Sequence, residues 1–288
     1  MIMNKIIEKA QVLIEALPYI RRFAGSVVVV KIGGSAMVDN SIKSSIIKDI
    51  AMMKRIGMKP VVVHGGGDSI TGMMNQLGKE AVFSDGLRVT DKETAQIAEM
   101  VLSGNISKEL VQILQGEGIN AVGINGKDGD TLVASKKIQN GKDIGFVGEV
   151  QKVNTELLET LIANDFVPVV APVGTDYQNN TYNINADYAA SAIAGALNAQ
   201  KLVFLTDVEG ILRDKDDPST ILSQLTLTEA QNFISDGTIS GGMIPKAHCC
   251  MDGIKKGVQS VHILDGRIPH SLLLEIFTNE GIGTMMIR

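Results

Sequence analysis

The sequence predicts a three-layer α/β/α sandwich on a mostly parallel, open central sheet, and three observations lead there. Residues 27–35 read VVVVKIGGS, and four β-branched residues in a row suit a strand buried on both faces, as in a parallel sheet. Residues 61–67 repeat the device as VVVHGGG, an apolar run breaking into glycines. Short apolar runs then alternate with helical patterns along the rest of the chain, the pattern of βαβ units. In open sheets of this kind ligands bind beyond the carboxyl ends of the strands, where both glycine loops fall. Backbone N–H groups and helix N-termini there can face a single anion.

Taken in order, residues 2–20 carry Ile2, Ile6, Ala10, Leu13, Leu17 and Ile20 at helical spacing, which predicts an amphipathic helix bent near Pro18. Its apolar face is free to pack on another subunit or on its own domain. After the 27–32 strand, Asp39 or Asn40 caps a helix to about Ile56, ended by Gly57. A short helix follows the triple glycine, and residues 83–90, FSDGLRVT, read as an irregular connection. Thr90 or Asp91 caps a helix to about Leu102, and Asn105 caps a separate one to Gln115. Strands at 121–124 and 131–136 flank Asn125-Gly126 and Asp128-Gly129, predicting a hairpin that 144–150 extends. A helix from Asn154 and a buried strand at 167–171 follow. Residues 174–185 are polar and turn-rich and lead into an alanine-rich helix, 186–197. A strand at 202–205 ends on Thr206 and Asp207. Helices near 227–235, 245–256 and 270–278 and strands at 260–264 and 284–287 close the chain.

Composition excludes several classes of function. With 288 residues, 44% of them hydrophobic, the chain can bury a large core as one α/β domain or two lobes. A formal charge of -5 gives no basic footprint for nucleic acid or an anionic membrane surface. No apolar run is long enough to span a membrane, and Glu8 and Glu15 interrupt the place of a signal-peptide core, so the cytoplasm is expected. Adjacent Cys249 and Cys250 form no disulfide framework, and with His248 they lack zinc-ligand spacing, so they read as buried, reduced cysteines. No metal site is expected. The 214–220 stretch lacks the glycine and terminal glutamate of a calcium loop.

The chain has no GxxxxGK[ST], no GxGxxG after its first strand, and no GxSxG. What remains are lysines beside glycine-rich turns: Lys31 in KIGG and Lys246 in GGMIPK. A lysine ammonium is a compact charge suited to phosphate oxygens. Two of them flanking a transferred phosphoryl group would stabilise both of its ends. Mutual repulsion requires an anion between them, and Asp187, in the first turn of the alanine-rich helix, is the candidate. Arg88 can grip a carboxylate with two parallel N–H donors. His64 at a strand end reads as a hydrogen-bonded structural residue.

These stretches carry a resemblance. VVVVKIGGS, VVVHGGGDSI, SDGLRVT, NINADYAA, LTDVEGI and GGMIPK, in this order from Val27 onward, resemble the motifs of the amino acid kinase family. The resemblance implies two lobes, 26–185 for the acyl substrate and dimerisation and 186–288 for ATP, behind an N-terminal oligomerisation helix at 1–25. Within the family it points to phosphorylation of the side-chain carboxylate of N-acetyl-L-glutamate by ATP with Mg2+, the second step of arginine biosynthesis. The neighbouring alternatives are a glutamate, aspartate or carbamate kinase, or a catalytically silent amino-acid sensor. By position, Lys31, Lys246 and Asp187 become the catalytic set, and Gly66, Gly67, Arg88 and Asn183 the substrate-binding set. Gly33, Gly34, Gly65, Thr206, Asp207, Gly241, Gly242 and Met243 fall to phosphate and ATP. The N-terminal helix ending PYIRRF and the C-terminal HSLLLEIFTNEGIGTMM resemble the arginine-inhibited, hexameric branch. That likeness implies an L-arginine site of Tyr19, Lys201, His270, Glu280 and Gly283, with Glu280 on the guanidinium.

Overall fold

The computed structural model describes residues 2–214, 216–278 and 281–288. In chain order, α1 (Ile2–Phe23) precedes β1 (Val27–Ile32), α2 (Asn40–Arg55), β2 (Lys59–His64), α3 (Gly67–Gln76), β3 (Phe83–Ser84) and β4 (Leu87–Arg88). Next come α4 (Lys92–Glu99), α5 (Ser107–Gly116), β5 (Ala121–Asn125), β6 (Leu132–Gln139), β7 (Lys142–Val153) and α6 (Glu156–Ala163). The middle of the chain continues with β8 (Val167–Ala171), β9 (Val173–Thr175), β10 (Thr181–Ile184), α7 (Ala186–Ala196) and β11 (Lys201–Thr206). It ends with β12 (Gln224–Thr226), α8 (Leu227–Ser235), α9 (Met243–Lys255), β13 (Ser260–Asp265), α10 (Ser271–Phe277) and β14 (Thr284–Ile287).

The main sheet has eight strands in the order β12-β14-β13-β11-β1-β2-β8-β5. The pairs from β13 through β5 are parallel, β12 pairs parallel with β14, and β14 runs antiparallel to β13. The valine run does what its composition demands. Val28 and Val30 pack on one side among α2 and α5 residues such as Ile46, Ile50 and Leu110, and Val29 packs on the other with Ala190 and Ile193 of α7. From β1 the chain goes to β2 on one flank, whereas β11 and β13 lie on the other. The strand order therefore reverses between β1 and β11, and a crevice opens beyond their carboxyl ends.

Four expectations about local structure are corrected. The helices expected at 91–102 and 105–115 are one continuous helical run, because residues 100–106 form a π-helical turn rather than a break. Asn105 is consequently no cap, while Asp91 does cap α4 through Thr94 N. The expected 121–136 hairpin does not form: β5 pairs with β8 at the edge of the main sheet, and β6 pairs with β7. Their turn is Asn140-Gly141, both at positive φ, the two-residue turn that matches strand twist. Residues 83–88 are a small hairpin turned at Asp85-Gly86, and the polar 174–185 stretch contributes β9 and β10. With β6 and β7 these two close a small barrel, β10-β7-β6-β9.

Helix α1 runs through Pro18 to Phe23. Its C-terminal end packs on its own chain, with Phe23 in the core, while Ile7, Ile14 and Leu17 stay exposed. Cys249 and Cys250 are free and buried, and burial pushes both thiols up, which keeps them inert. Among the described residues no helix is long and apolar enough to cross a membrane.

Candidate active site

Strand β1 delivers Lys31 to the crevice, and α7 brings Asp187 to meet it. The turn before α7 is fixed by Asn185, whose side chain accepts from Asp187 N at 2.9 Å and Tyr188 N at 3.3 Å. Lys31 Nζ stands 2.8 Å from Asp187 Oδ1 in an ion pair. From the first turn of α9, Lys246 Nζ donates to Asp187 Oδ2 at 3.3 Å. Burial acts to raise the Asp187 carboxyl, but Lys31 and Lys246 outweigh it and hold it below the usual carboxylate range. One largely enclosed carboxylate, its side chain 14% exposed, thus gathers two ammonium groups that lie far apart in the chain.

The glycines beside Lys31 are there for space. At Gly33 a Cβ would collide with Lys31 Nζ, and at Gly34, which has φ +60°, it would collide with the Asp207 carboxylate. Asp207 Oδ1 accepts from Ser35 N at 2.9 Å and from Ser35 Oγ at 2.7 Å, buttressing the loop. After β2, Gly65 N donates to Ile32 O at 2.8 Å. Gly66 lies under the π-helical turn: a Cβ there would meet Leu102 Cδ2 at 2.7 Å and also Ile106 Cδ1. Its lack of a side chain therefore serves this packing. Gly67 opens α3.

Arg88 is 7% exposed at the end of β4. Its Nη2 donates to Gly67 O and to Thr71 Oγ1, both at 2.8 Å, and its guanidinium lies 4.7 Å from the centre of the Phe83 ring. A cavity of about 250 Å3 is lined by Lys31, Gly33, Gly34, Gly65, Gly66, Gly67, Arg88, Asn183 and Asp187. Ile70, Leu102, Val147 and Ile184 supply apolar wall. Residues drawn from both halves of the chain therefore share one chamber with two cationic side chains, Lys31 and Arg88, and apolar wall between polar groups.

A second cavity, of about 340 Å3, lies beyond β11 and is lined by Met243 with Gly210, Ile211, Leu212, Ile239 and Arg267. Thr206, Asp207, Gly241 and Gly242 do not line it. Thr206 O accepts from Gly266 N at 2.8 Å, and Asp207 turns to Ser35. The sequence reading missed Arg267, whose Nε and Nη2 bind Asp265 at 2.9 and 2.8 Å.

A third cavity, of about 190 Å3, lies between α1 and the C-terminal strands and includes Tyr19, Lys201 and Gly283. His270 is not in it: its Nδ1 pairs with Asp49 of α2 at 2.6 Å. Glu280 lies outside the described residues. The cavity instead contains His262 and Glu275, which the sequence reading missed. His262 Nδ1 pairs with Glu275 Oε1 at 2.6 Å, and Lys201 Nζ lies 3.0 Å from His262 Nε2. Burial lowers the Lys201 pKa to about 8 against the pull of Glu275. The available signal was a histidine inside the apolar strand SVHILD, which needs a buried partner.

His64 is fully buried, and its Nδ1 lies 2.9 Å from Gly65 O, which only accepts, so Nδ1 carries the proton. Burial lowers its pKa to about 4. The unfolded chain therefore binds more protons between about pH 6.5 and 4, and stability falls as pH drops through that window. Taking the protein from pH 7 to 5 should cost about 2 kcal/mol more in wild type than in His64→Asn, read from urea unfolding at both pH values.

The chain belongs to the amino acid kinase family, whose sequence profile matches residues 26–265. Membership makes it an ATP-using kinase. It is 52% identical over 282 residues to the acetylglutamate kinase of Desulforamulus reducens, covering 98% of each chain. Its fold is similar to N-acetylglutamate synthase from Neisseria gonorrhoeae complexed with coenzyme A and N-acetyl-glutamate, with a TM-score of 0.85 and 27% identity over 97% of this chain. The same synthase complexed with coenzyme A and L-arginine gives 0.79 and 25% over 95% of this chain. The chain spans 63% of the synthase's length in the first of these structures.

Proposed function

We propose that the chain transfers the γ-phosphoryl group of ATP to the side-chain carboxylate of N-acetyl-L-glutamate, giving N-acetyl-L-glutamyl 5-phosphate in the second step of arginine biosynthesis, in the cytoplasm. The observation that carries this reading is the Lys31–Asp187–Lys246 cluster, which opens through Lys31 and Asp187 onto a chamber that also holds Arg88, with Lys246 behind Asp187. Arg88 takes the α-carboxylate, and the side-chain carboxylate, already ionised at pH 7, attacks phosphorus without a general base. A bond forms from carboxylate oxygen to phosphorus while the bond to the β–γ bridging oxygen breaks. Lys31 stabilises the transferring group on the acceptor side and Lys246 on the ADP side, with Asp187 holding both in reach. Gly33, Gly34 and Gly65 keep the backbone close to that group. Residues 26–185 carry acetylglutamate, and 186–288 carry ATP in the cavity of Met243 and Arg267.

Among the described residues no group of three or more His, Cys, Asp and Glu side chains could hold a metal ion. Mg2+ would arrive on the nucleotide's own phosphates and would supply charge neutralisation at the β- and γ-oxygens. Comparing ATP turnover on N-acetylglutamate, glutamate, aspartate and carbamate tests the assignment. N-acetylglutamate should dominate, and preferred turnover of any other would overturn it.

The third cavity is the place for L-arginine. Its cationic side chain meets Glu275, which lines the cavity alongside the expected position of Glu280, and its carboxylate meets Lys201. Residues 1–25 join dimers into a hexamer through the exposed Ile7, Ile14 and Leu17. Glu275→Gln should abolish the thermal stabilisation that L-arginine gives the wild type; an unchanged shift would place arginine elsewhere.

A further inference from the structure

Thr90 ends the GLRVT stretch, and nothing in the proposed reaction uses it. It is fully buried, yet each of its polar atoms is engaged. Its N donates to Ile144 O at 3.0 Å and its O accepts from Phe146 N at 2.6 Å. This approach of β7 requires Gly145, at φ +82°, where a Cβ would strike the Thr90 carbonyl oxygen. The Thr90 hydroxyl donates to Arg88 O at 2.7 Å and lies 3.4 Å from Asn183 Nδ2. Two residues of the substrate chamber thus meet on one hydroxyl.

The direction of these bonds follows from what each group can do. A carbonyl oxygen only accepts, so the single hydroxyl proton goes to Arg88 O, and Oγ1 has only a lone pair left for Asn183. Asn183 must turn its NH2 edge to Thr90, which leaves its Oδ1 as an acceptor for the ligand. We propose that Thr90 is a positioning residue that sets the polarity of the substrate site. It locks the Asn183 amide so that the site selects a ligand with an N–H, the secondary amide of an N-acylated amino acid. The inference rests on the acetylglutamate reading and adds to it the group that reads the acylated nitrogen.

The test uses the full chain as wild type, Thr90→Val, which keeps shape without the hydroxyl, and Thr90→Ser, which restores it. Two substrates are compared: N-acetyl-L-glutamate and the acetyl ester of 2-hydroxyglutarate, in which oxygen replaces the N–H. Wild type should prefer the amide by about tenfold or more in kcat/KM, since the ester leaves Asn183 Oδ1 unpaired. In Thr90→Val, Asn183 is free to flip. The preference should fall to within about twofold and the KM for N-acetylglutamate should rise about tenfold, with the KM for ATP retained. Thr90→Ser should keep the wild-type preference. Retention of the preference in Thr90→Val, its loss in Thr90→Ser, or a wild type indifferent to the N–H would each overturn the proposal. A wild type that fails to bind N-acetylglutamate in calorimetry would instead remove the acetylglutamate reading itself, and this inference with it.

Discussion

Lys31→Met should lower kcat about 10²- to 10³-fold while the KM for ATP and for N-acetylglutamate moves far less, because the lost ammonium acts on charge that develops during transfer. Methionine keeps most of the side chain's volume and leaves the loop at Gly33 uncrowded. The change also strips Asp187 of its 2.8 Å partner, leaving Lys246 as its remaining cation. Some stability is therefore lost with the activity, as when one member of a buried pair is removed. Initial rates of ADP release, measured well below the melting temperature of the variant, separate the two effects. A kcat within threefold of wild type would take Lys31 out of the chemistry.

Arg88→Lys should raise the KM for N-acetylglutamate about 10- to 100-fold, with the KM for ATP nearly unchanged. The guanidinium spends Nη2 on Gly67 O and Thr71 Oγ1 and one Nη1 proton on Met74 Sδ, and it lies over Phe83, so its plane is fixed and its charge, with Nε and the other Nη1 proton, is left for a carboxylate. A lysine ammonium has three donors on one atom and cannot reach the Gly67 carbonyl, the Thr71 hydroxyl and a ligand carboxylate in those directions together. The deficit is roughly 1.5–3 kcal/mol, the usual range for hydrogen bonds to charged groups. Steady-state kinetics with each substrate varied in turn reads it. An effect on the KM for ATP of equal size would show that Arg88 supports the whole fold rather than the acetylglutamate end.

Much of the architecture was legible because it is written locally. An unbroken β-branched run such as 27–30 has no polar face and must lie in a sheet covered on both sides, and β1 does. The cationic cluster was legible for a related reason: a lysine that ends a buried strand beside glycines has few places to go but a crevice. What escaped was set by distant partners. β9 and β10 are three and four residues long, too short for a periodic signal, and exist because β6 and β7 lie alongside them. The π-helical turn at 100–106 replaces an expected break because Leu102 and Ile106 pack onto Gly66, about forty positions earlier. In the third cavity, His262 and Glu275 find each other through the packing of α10 on β13, a relation no spacing rule expresses. His270, the first residue of the C-terminal segment expected to line that cavity, is drawn away by Asp49.

The central claim is that Lys31 and Lys246 serve the two ends of one migrating phosphoryl group. A crystal structure with N-acetyl-L-glutamate, ADP, Mg2+ and aluminium fluoride, which mimics that group in flight, tests it most directly. The account predicts the fluoride mimic between the acceptor carboxylate and ADP, with both Nζ atoms about 3 Å from its ligands and Asp187 still bridging them. A mimic bound with either lysine turned away from it, or located outside the chamber of Lys31 and Arg88, would contradict the account.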